Sequence, residues 1–301
     1  MSYTIRTHPA TSRLFHITIE GEAVSRFLQE TRDLSEQRLT YVPYLRSIAA
    51  DALQQAVGKD FAERINTILR DRSTGGFTLS FARELGSMDQ RVALGTAVSH
   101  LIGIPNFDDM TGNFYACFTV RDSDESDSYL RQAYRTFTLH TDGTYLKETT
   151  DWILMMKMEE RSAVGGNSRL LHLDDWSDLA RFSNDPHASQ PIIYRSPPSK
   201  NYPITLEKPT FHEKFDGPAV CFIDQFAYPE TIEEARYLRD LSESMEASTA
   251  VVSLKLPVAH HILLNNHFWL HGREAFAKNP HLHRVLMRQR GYFRESHARN
   301  R

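Results

Sequence analysis

The sequence predicts an α+β protein with a mainly β core: a double-stranded β-helix, or jelly roll, with packed helices that are mostly N-terminal. Two observations predict this fold. Helical periodicity dominates from Ala23 to about Leu101, whereas short β-branched and aromatic runs separated by turns dominate after Pro105. Because no repeat or linker divides the chain, we expect a single domain over residues 1–301, with a helical layer over 1–104 and the jelly-roll core over 105–301.

Helical periodicity is clearest in three N-terminal segments and in one segment of the core. Apolar residues recur there three and four positions apart, which places them on one face of a helix. Pro229 and Glu230 are expected to open the core helix. The N-terminal segments are Tyr44–Leu53, Phe61–Leu69 and Arg91–Val98. The predicted apolar face of the core helix comprises Ile232, Ala235, Leu238, Leu241 and Met245.

Strands are predicted where short β-branched and aromatic runs end at turn residues. Many short strands joined by irregular loops favour an antiparallel jelly roll over a parallel α/β sheet. Such a barrel is open at one end and can hold a metal and a ligand between its sheets. The predicted strands are Phe114–Val120, Tyr134–His140, Trp152–Met158, Ser168–Leu173, Ile192–Arg195, Val220–Ile223, Val251–Leu256, Ile262–Asn265 and Leu286–Phe293.

The charge balance argues against nucleic acid and membrane as partners. The chain has 35 Lys and Arg against 38 Asp and Glu, a net charge of −3, and no window concentrates basic residues. A small molecule is therefore the expected partner. Cys117 and Cys221 stand in no paired spacing, which is typical of a reducing compartment. Since residues 1–20 lack a signal-peptide pattern and no stretch reaches membrane-spanning length, we expect a cytoplasmic protein.

Fourteen histidines raise the question of which of them do chemistry. Residues i and i+2 of a strand point to the same face, so a triplet of His-x-Asp or His-x-Glu can direct an imidazole and a carboxylate at one metal. The sequence has two such triplets, His140 to Asp142 and His172 to Asp174. Chance alone predicts about two in a chain of this composition, so their context must decide between them.

The context favours His140 over His172. In the first triplet Phe137 and Leu139 alternate with polar residues, and Gly143 follows at once, as expected for a strand that ends at an open rim. The second triplet runs into Asp174-Asp175-Trp176, where an aspartate is expected to cap a helix, so His172 is interpreted as structural.

A third ligand is needed, and His271 is the best candidate. It closes the aromatic-rich segment Asn265–Arg273 in the dipeptide His-Gly. On the residues alone, a buried core histidine is the favoured interpretation of His271. His260 and His261 precede a predicted strand and are expected at the surface or at an edge.

The last predicted strand supplies an independent observation. A period of two places Arg288, Arg290 and Tyr292 on one face with Leu286. A solvent-exposed face would be unremarkable, but arginines that face a barrel interior need anionic partners, and carboxylates match their geometry.

Together these residues resemble the Fe(II)- and 2-oxoglutarate-dependent oxygenases. Within that superfamily the chain is similar to the carbon-starvation-induced protein D family, from roughly Leu94 to Phe293 and more weakly through the N-terminal helices. The segments that carry the resemblance are Ser126–Gln132, Leu154–Lys157, Gly165–Ser168, Leu171–Trp176, Phe268–Arg273 and Met287–Phe293.

The resemblance implies a metal site and a reaction. His140, Asp142 and His271 would bind Fe(II) and leave coordination positions open for 2-oxoglutarate and O2. Arg290 would bind the C5 carboxylate of 2-oxoglutarate. The implied activity is hydroxylation of glutarate at C2 to 2-hydroxyglutarate, with release of succinate and CO2, as a step of lysine and glutarate catabolism. A homotetramer is also implied.

Further contacts are expected from the same resemblance. Ser168 would contact the cosubstrate, although a plain hairpin turn explains it equally well. At least one of Arg131, Arg273 and Arg288 is expected to bind the dicarboxylate substrate. The spacing from His271 leaves open whether Arg288 or Arg290 holds the cosubstrate.

Two alternatives remain at the level of sequence. The same iron chemistry could act on another small carboxylic or amino acid. A jelly-roll protein could also bind a dicarboxylate without catalysis, although such a binder has no need of three open metal positions.

Overall fold

The computed structural model describes residues 2–108, 111–122, 132–147, 150–196 and 203–294. Its helices are α1 (Gly21–Glu30), α2 (Glu36–Tyr41), α3 (Tyr44–Val57), α4 (Phe61–Arg70), α5 (Met88–Ile102), α6 (Leu179–Ser183) and α7 (Ile232–Glu246). Its strands are β1 (Tyr3–Thr7), β2 (Phe15–Ile19), β3 (Gly76–Phe81), β4 (Ile104–Pro105), β5 (Ala116–Arg121), β6 (Phe137–His140), β7 (Trp152–Arg161), β8 (Ser168–His172), β9 (Pro191–Arg195), β10 (Thr205–Pro209), β11 (Phe211–Glu213), β12 (Pro218–Val220), β13 (Ala227–Tyr228), β14 (Val252–Leu254), β15 (His261–Asn265), β16 (Trp269–Arg273) and β17 (His283–Tyr292).

Two sheets build the core. The eight-stranded major sheet has the order β1-β2-β3-β15-β7-β17, and β17 then pairs with both β4 and β5. The four-stranded minor sheet has the order β14-β8-β16-β6. Neighbouring strands are antiparallel except for the parallel pair β2 and β3. The sheets with their helical layer confirm the predicted jelly roll with a mainly β core.

Strand β7 shows how the core is divided. Its alternate residues Trp152, Leu154 and Met156 pack into a cluster with the N-terminal helices. Ile153 and Met155 pack into a second cluster, which includes residues of the minor sheet. Because successive side chains of a strand point to opposite faces, the major sheet has one face toward the helices and one toward the minor sheet. The functional side chains lie in this second space.

The predicted helices are present, but the N-terminal region also contains strands. Strands β1, β2 and β3 extend the major sheet, so residues 1–104 share hydrogen-bonded strands with the core. Strands β1 and β2 precede α1, β3 lies between α4 and α5, and each has only 5 or 6 residues, which are too few to show a period of two clearly. Strand β16, which carries His271, was missed for a different reason: its residues are nearly all buried, so polar and apolar residues do not alternate.

The core helix differs from the prediction at its first turn. Thr231 is its N-cap, and Thr231 and Glu234 form a capping box, so the helix begins at Ile232 rather than at Pro229. Ile232 and Ala235 are exposed, whereas the later apolar positions of the predicted face are buried. The first turn therefore lies beyond the edge of the core.

His261 corrects another expectation. It was predicted at the surface or at an edge, but it is fully buried in β15, between β3 and β7. Its ring packs edge-on against Phe81, and a Cβ added at Gly95 of α5 would lie 3.5 Å from its Nε2. The prediction was wrong because His261 begins a strand that other strands flank on both sides. No helix in the part of the chain described above is long and apolar enough to cross a membrane.

Candidate active site

Two strands of the minor sheet bring a metal-ligand set together. His140 ends β6 and pairs directly with His271 of β16, and their ring centroids lie 4.2 Å apart. Asp142 follows two residues after His140. One ligand atom from each of these three residues lies within 4.8 Å of the others. The structure therefore brings together the three residues that the sequence nominated as a metal site.

Hydrogen bonding fixes the orientation of His140. Its Nδ1 lies 2.8 Å from the Thr138 carbonyl oxygen, which can only accept, so Nδ1 carries the proton and Nε2 is left as the metal-binding nitrogen. Burial lowers the pKa of His140 and lowers the pKa of His271 to about 3. Both rings are therefore neutral near pH 7, as metal ligands must be.

The main chain of Asp142 is held by one carboxamide. Asn266 Oδ1 accepts from the Asp142 backbone N–H at 2.9 Å, and its Nδ2 donates to the Asp142 carbonyl oxygen at 2.9 Å and to the Thr150 carbonyl oxygen at 2.9 Å. Asn266 itself is buried. It lies in the turn between β15 and β16, so it ties the two ligand-bearing segments together.

Arginines of β17 face this ligand set from the major sheet. Arg288 Nη1 donates to Asp142 Oδ1 at 3.1 Å, and its Nη2 donates to Asp108 Oδ2 at 2.8 Å. Arg290 Nη2 lies 3.7 Å from the same Asp108 oxygen. Burial alone would raise the pKa of Asp142, but Arg288 and Arg290 outweigh it and hold that pKa well below its usual range. Asp142 is therefore a carboxylate.

The three ligands fit a divalent transition metal. Among the described residues the buried atoms Asp142 Oδ2 and His271 Nδ1 have no hydrogen-bond partner, although Arg288 Nη1 forms an ion pair with Asp142 Oδ2 at 3.1 Å. Buried polar atoms are rarely left unsatisfied, so these two atoms indicate a group that the protein atoms do not supply. Two imidazoles and one carboxylate are the facial set of non-haem Fe(II) sites, and they leave further coordination positions open.

Two pockets are each lined by both His140 and Asp142. The first, which we call the Arg284 pocket, includes Ser168, Arg284 and Leu286. The second, the Arg290 pocket, includes Arg290, Tyr145 and Gln225. Both are lined by Phe137, His140, Asp142 and Arg288. The metal ligands therefore lie between two compartments, each with a cation at its wall.

Arg284 was missed by sequence reasoning. It is buried, its Nε has no hydrogen-bond partner among the described side chains, and burial lowers its pKa to about 10. The signal was present, because Arg284 continues the period of two back from Arg288 and Leu286. The predicted strand began at Leu286, whereas β17 begins at His283.

The other predicted residues have separate outcomes. Ser168 lines the Arg284 pocket, not the pocket of Arg290, with which it was expected to share the cosubstrate. Arg273 borders the Arg284 pocket, but its guanidinium donates to the carbonyl oxygens of Gln132 at 2.6 Å and of Glu274 at 2.9 Å. That engagement with the main chain argues against its expected contact with substrate. Arg131 lies outside the described residues.

His172 has the structural role predicted for it. It ends β8, and its Nδ1 accepts the backbone N–H of Asp174 at 3.1 Å. The aspartates do not cap a helix as expected. Asp174 instead pairs with Arg72, and Asp175 with Arg13.

The facing sheets and the two-histidine, one-carboxylate set define the class of protein, a jelly-roll oxygenase of the non-haem iron type. The family model CsiD matches residues 3–293, so the chain belongs to the CsiD family. The chain is 42% identical over 298 residues to the glutarate 2-hydroxylase of Klebsiella pneumoniae strain 342, covering 97% of this chain and 90% of that protein. It is 41% identical over 294 residues to the glutarate 2-hydroxylase of Citrobacter koseri, with the same coverage.

Solved structures with the same fold are more distant in sequence. Asparagine oxygenase in complex with Fe(II), 2S,3S-3-hydroxyasparagine and succinate superimposes with a TM-score of 0.75 at 15% identity, covering 94% of this chain and 95% of that one. The non-haem iron oxygenase OrfP, in complex with Fe and alpha-ketoglutaric acid, has a TM-score of 0.70 at 14% identity and covers 94% and 96%. These similarities confirm the jelly-roll fold.

Proposed function

We propose that this protein is an Fe(II)- and 2-oxoglutarate-dependent oxygenase that hydroxylates glutarate at C2. The observation that carries the proposal is the set of His140, Asp142 and His271, whose ligand atoms lie within 4.8 Å of one another between two arginine-bearing pockets. Curated relatives at 41–42% identity that are named glutarate 2-hydroxylase support it. A bound Fe(II) supplies the activation of O2, which the protein side chains cannot perform alone.

The cosubstrate belongs to the Arg284 pocket. Arg284 has an unpaired buried Nε, and the Ser168 hydroxyl lines the same pocket, so a carboxylate entering there meets a cation and a hydroxyl together. In this arrangement Arg284 takes the C5 carboxylate of 2-oxoglutarate, the role that the sequence resemblance had given to Arg290.

The substrate belongs to the Arg290 pocket. Arg290 is 3% exposed, and its Nη2 lies 3.7 Å from Asp108 Oδ2, which is ion-pair distance but beyond hydrogen-bond distance. A buried guanidinium whose hydrogen bonds are incompletely satisfied is costly, so a substrate carboxylate is the group that would satisfy it. Arg288 lines both pockets, so it borders the proposed substrate site as well as the proposed cosubstrate site. It remains paired with Asp108 and Asp142 in that position.

The reaction balances without further reactants. Glutarate, 2-oxoglutarate and O2 give 2-hydroxyglutarate, succinate and CO2: one oxygen atom enters the new hydroxyl group and the other enters succinate. The residues of this chain hold both dicarboxylates by their ends, so that a C2–H bond of glutarate lies toward the metal. The apolar side chains of Phe137, Leu286 and Met155 line the Arg284 pocket and limit water there.

The test is product analysis with the purified protein, Fe(II), 2-oxoglutarate and O2 over a panel of short acids. We expect glutarate to give 2-hydroxyglutarate and succinate in equal amounts, with label from ¹⁸O2 in the new hydroxyl. Succinate release that any other dicarboxylate or amino acid stimulates more than glutarate would assign the same chemistry to that substrate. Binding of glutarate without succinate release would make the protein a non-catalytic binder.

Finer assignments are part of the same proposal. We place the activity in lysine and glutarate catabolism in the cytoplasm, without nucleic acid or membrane partners. Residues 1–301 act as one domain, since β3 of the N-terminal region pairs with β15 of the core. The resemblance implies a homotetramer, and the apolar side chains Tyr41, Tyr44 and Ile48 on α2 and α3, which are 77%, 69% and 53% exposed, offer a surface for association between copies. Light scattering on the purified protein tests the tetramer.

A further inference from the structure

Asp108 is a buried carboxylate that the proposed reaction leaves without a role. It is 3% exposed and lies shortly after β4, whose Pro105 pairs with Gly291 of β17. This pairing brings Asp108 beside Arg288 and Arg290. Asp108 lines neither the Arg284 pocket nor the Arg290 pocket, so it contacts the two arginines from outside both pockets.

The two oxygens of Asp108 have different partners. Oδ1 accepts from the Thr111 backbone N–H at 3.3 Å, and the Asp108 carbonyl oxygen accepts from the Gly112 N–H at 2.9 Å, so the carboxylate is held within its own turn. Oδ2 accepts from Arg288 Nη2 at 2.8 Å. Because the turn holds one oxygen, the other is kept toward β17.

Arg288 connects Asp108 to the metal-ligand set. Its guanidinium is planar and rigid, so a contact on one nitrogen orients the other. Nη2 is bound to Asp108, and Nη1 lies 3.1 Å from Asp142 Oδ2 and donates to Oδ1 at 3.1 Å. Without Asp108, the charge of Arg288 would rest on Asp142 alone and would oppose a divalent cation bound next to it.

We propose that Asp108 is a positioning residue for the metal centre: it holds Arg288 against the Asp142 carboxylate and balances the arginine charge, so that Asp142 keeps its orientation and its strength as a ligand. This inference rests on the proposed function, because it takes His140, Asp142 and His271 as the metal site. Partners that orient metal ligands typically change metal affinity by about 10–100-fold when they are removed.

The experiment is an anaerobic titration of metal-free protein with Co(II), followed by its d–d absorption bands, without substrate or turnover. For Asp108→Asn we expect the metal dissociation constant to rise about tenfold and the bands to change, because both the orientation and the charge at Asp142 change. The matched control is Asp240→Asn, which removes the same charge from a partly exposed position on α7, where Asp240 pairs with Arg239, and is expected to change the constant less than about twofold.

A second pair of variants covers a failure of Asp108→Asn to fold. Asp108→Glu and Asp108→Gln have the same length and differ in charge, and we expect Gln to bind Co(II) more weakly than Glu. Equal constants for this pair, or an Asp108→Asn protein with wild-type affinity and bands, would overturn the inference alone. A wild-type protein that binds no Co(II) would instead overturn the metal site and the proposed function with it.

Discussion

The cavity between the sheets has two walls that are built differently. The metal wall, at the minor sheet, carries His140, Asp142 and His271, and the arginine wall, at the major sheet, carries Arg284, Arg288 and Arg290. On the minor-sheet wall, the metal-ligand set is oriented by bonds to the main chain, such as Asn266 to the Asp142 backbone and His140 Nδ1 to the Thr138 carbonyl oxygen. On the major-sheet wall, Arg288 of β17 is held by the carboxylates of Asp108 and Asp142, and Arg284, Arg288 and Arg290 each have a buried Nε with no hydrogen-bond partner among the described residues. The metal wall is therefore preorganised by the fold, whereas we expect the arginine wall to be completed by bound carboxylates.

The largest effect is expected from removing a ligand on the metal wall. His140→Ala should abolish stoichiometric metal binding and lower kcat by about a thousandfold or more, because two ligands cannot hold the metal in a facial arrangement. Metal content and succinate release measure these effects. His172→Asn is the control, since it alters the other His-x-Asp triplet away from the site and should keep metal and activity. An active His140→Ala protein would contradict the site assignment.

On the arginine wall, two variants should divide the dicarboxylates between the pockets. Arg290→Gln is expected to raise the KM for glutarate by about 100-fold, because a buried charge partner is lost, with a change of less than about threefold in the KM for 2-oxoglutarate. Arg284→Gln should do the reverse. Steady-state kinetics with each substrate varied in turn make the comparison.

The opposite split would restore Arg290 as the cosubstrate arginine that the sequence resemblance implied. Equal increases in both KM values for both variants would contradict separate pockets and would indicate one shared anion site.

A smaller effect is expected where the Asn266 side chain holds the main chain of the metal ligand Asp142. Asn266→Ala removes three hydrogen bonds at the Asp142 and Thr150 backbone, so metal affinity should fall about tenfold, while the KM for glutarate changes little once metal is saturating. Metal titration and kinetics at high Fe(II) separate the two. Unchanged metal affinity in a folded variant would show that the loop keeps its position without Asn266.

The smallest effect concerns stability and lies outside the cavity. Burial lowers the pKa of His261 to about 3, against 6.5 for an ordinary histidine, so the unfolded chain binds one more proton than the folded chain between these values. Its contribution to stability is present above pH 6.5 and is lost as the pH falls toward 3. His261→Leu should reduce the slope of unfolding free energy against pH by about 1.4 kcal/mol per pH unit in this range.

The matched control for that prediction is His281→Leu, which makes the same substitution at an exposed position. Denaturant unfolding of metal-free protein between pH 4 and 7 measures both variants. An unchanged slope in His261→Leu would mean that His261 binds its proton equally in the folded and unfolded chain, and would contradict the lowered pKa.

How much the sequence could predict depended on the kind of contact. His140 and Asp142 could be found because a strand period and a following glycine are local patterns, and Arg288 and Arg290 because β17 is long. Asp108 could not be found, since its role depends on β4 pairing with β17, and a contact 180 residues apart leaves no local pattern. His261 was misplaced for a related reason, because burial by α5 and Phe81 is set by tertiary packing.

The central claim is that the metal wall binds Fe(II) while the arginine wall binds 2-oxoglutarate and glutarate beside it. The most direct test of this claim is an anaerobic absorption titration. Fe(II) and 2-oxoglutarate are added to the wild-type protein, followed by glutarate and then O2. We predict a visible charge-transfer band that requires both Fe(II) and 2-oxoglutarate, shifts when glutarate binds, and disappears with O2 as 2-hydroxyglutarate forms. A protein that shows no such band, or a band that glutarate neither shifts nor makes sensitive to O2, would contradict the account.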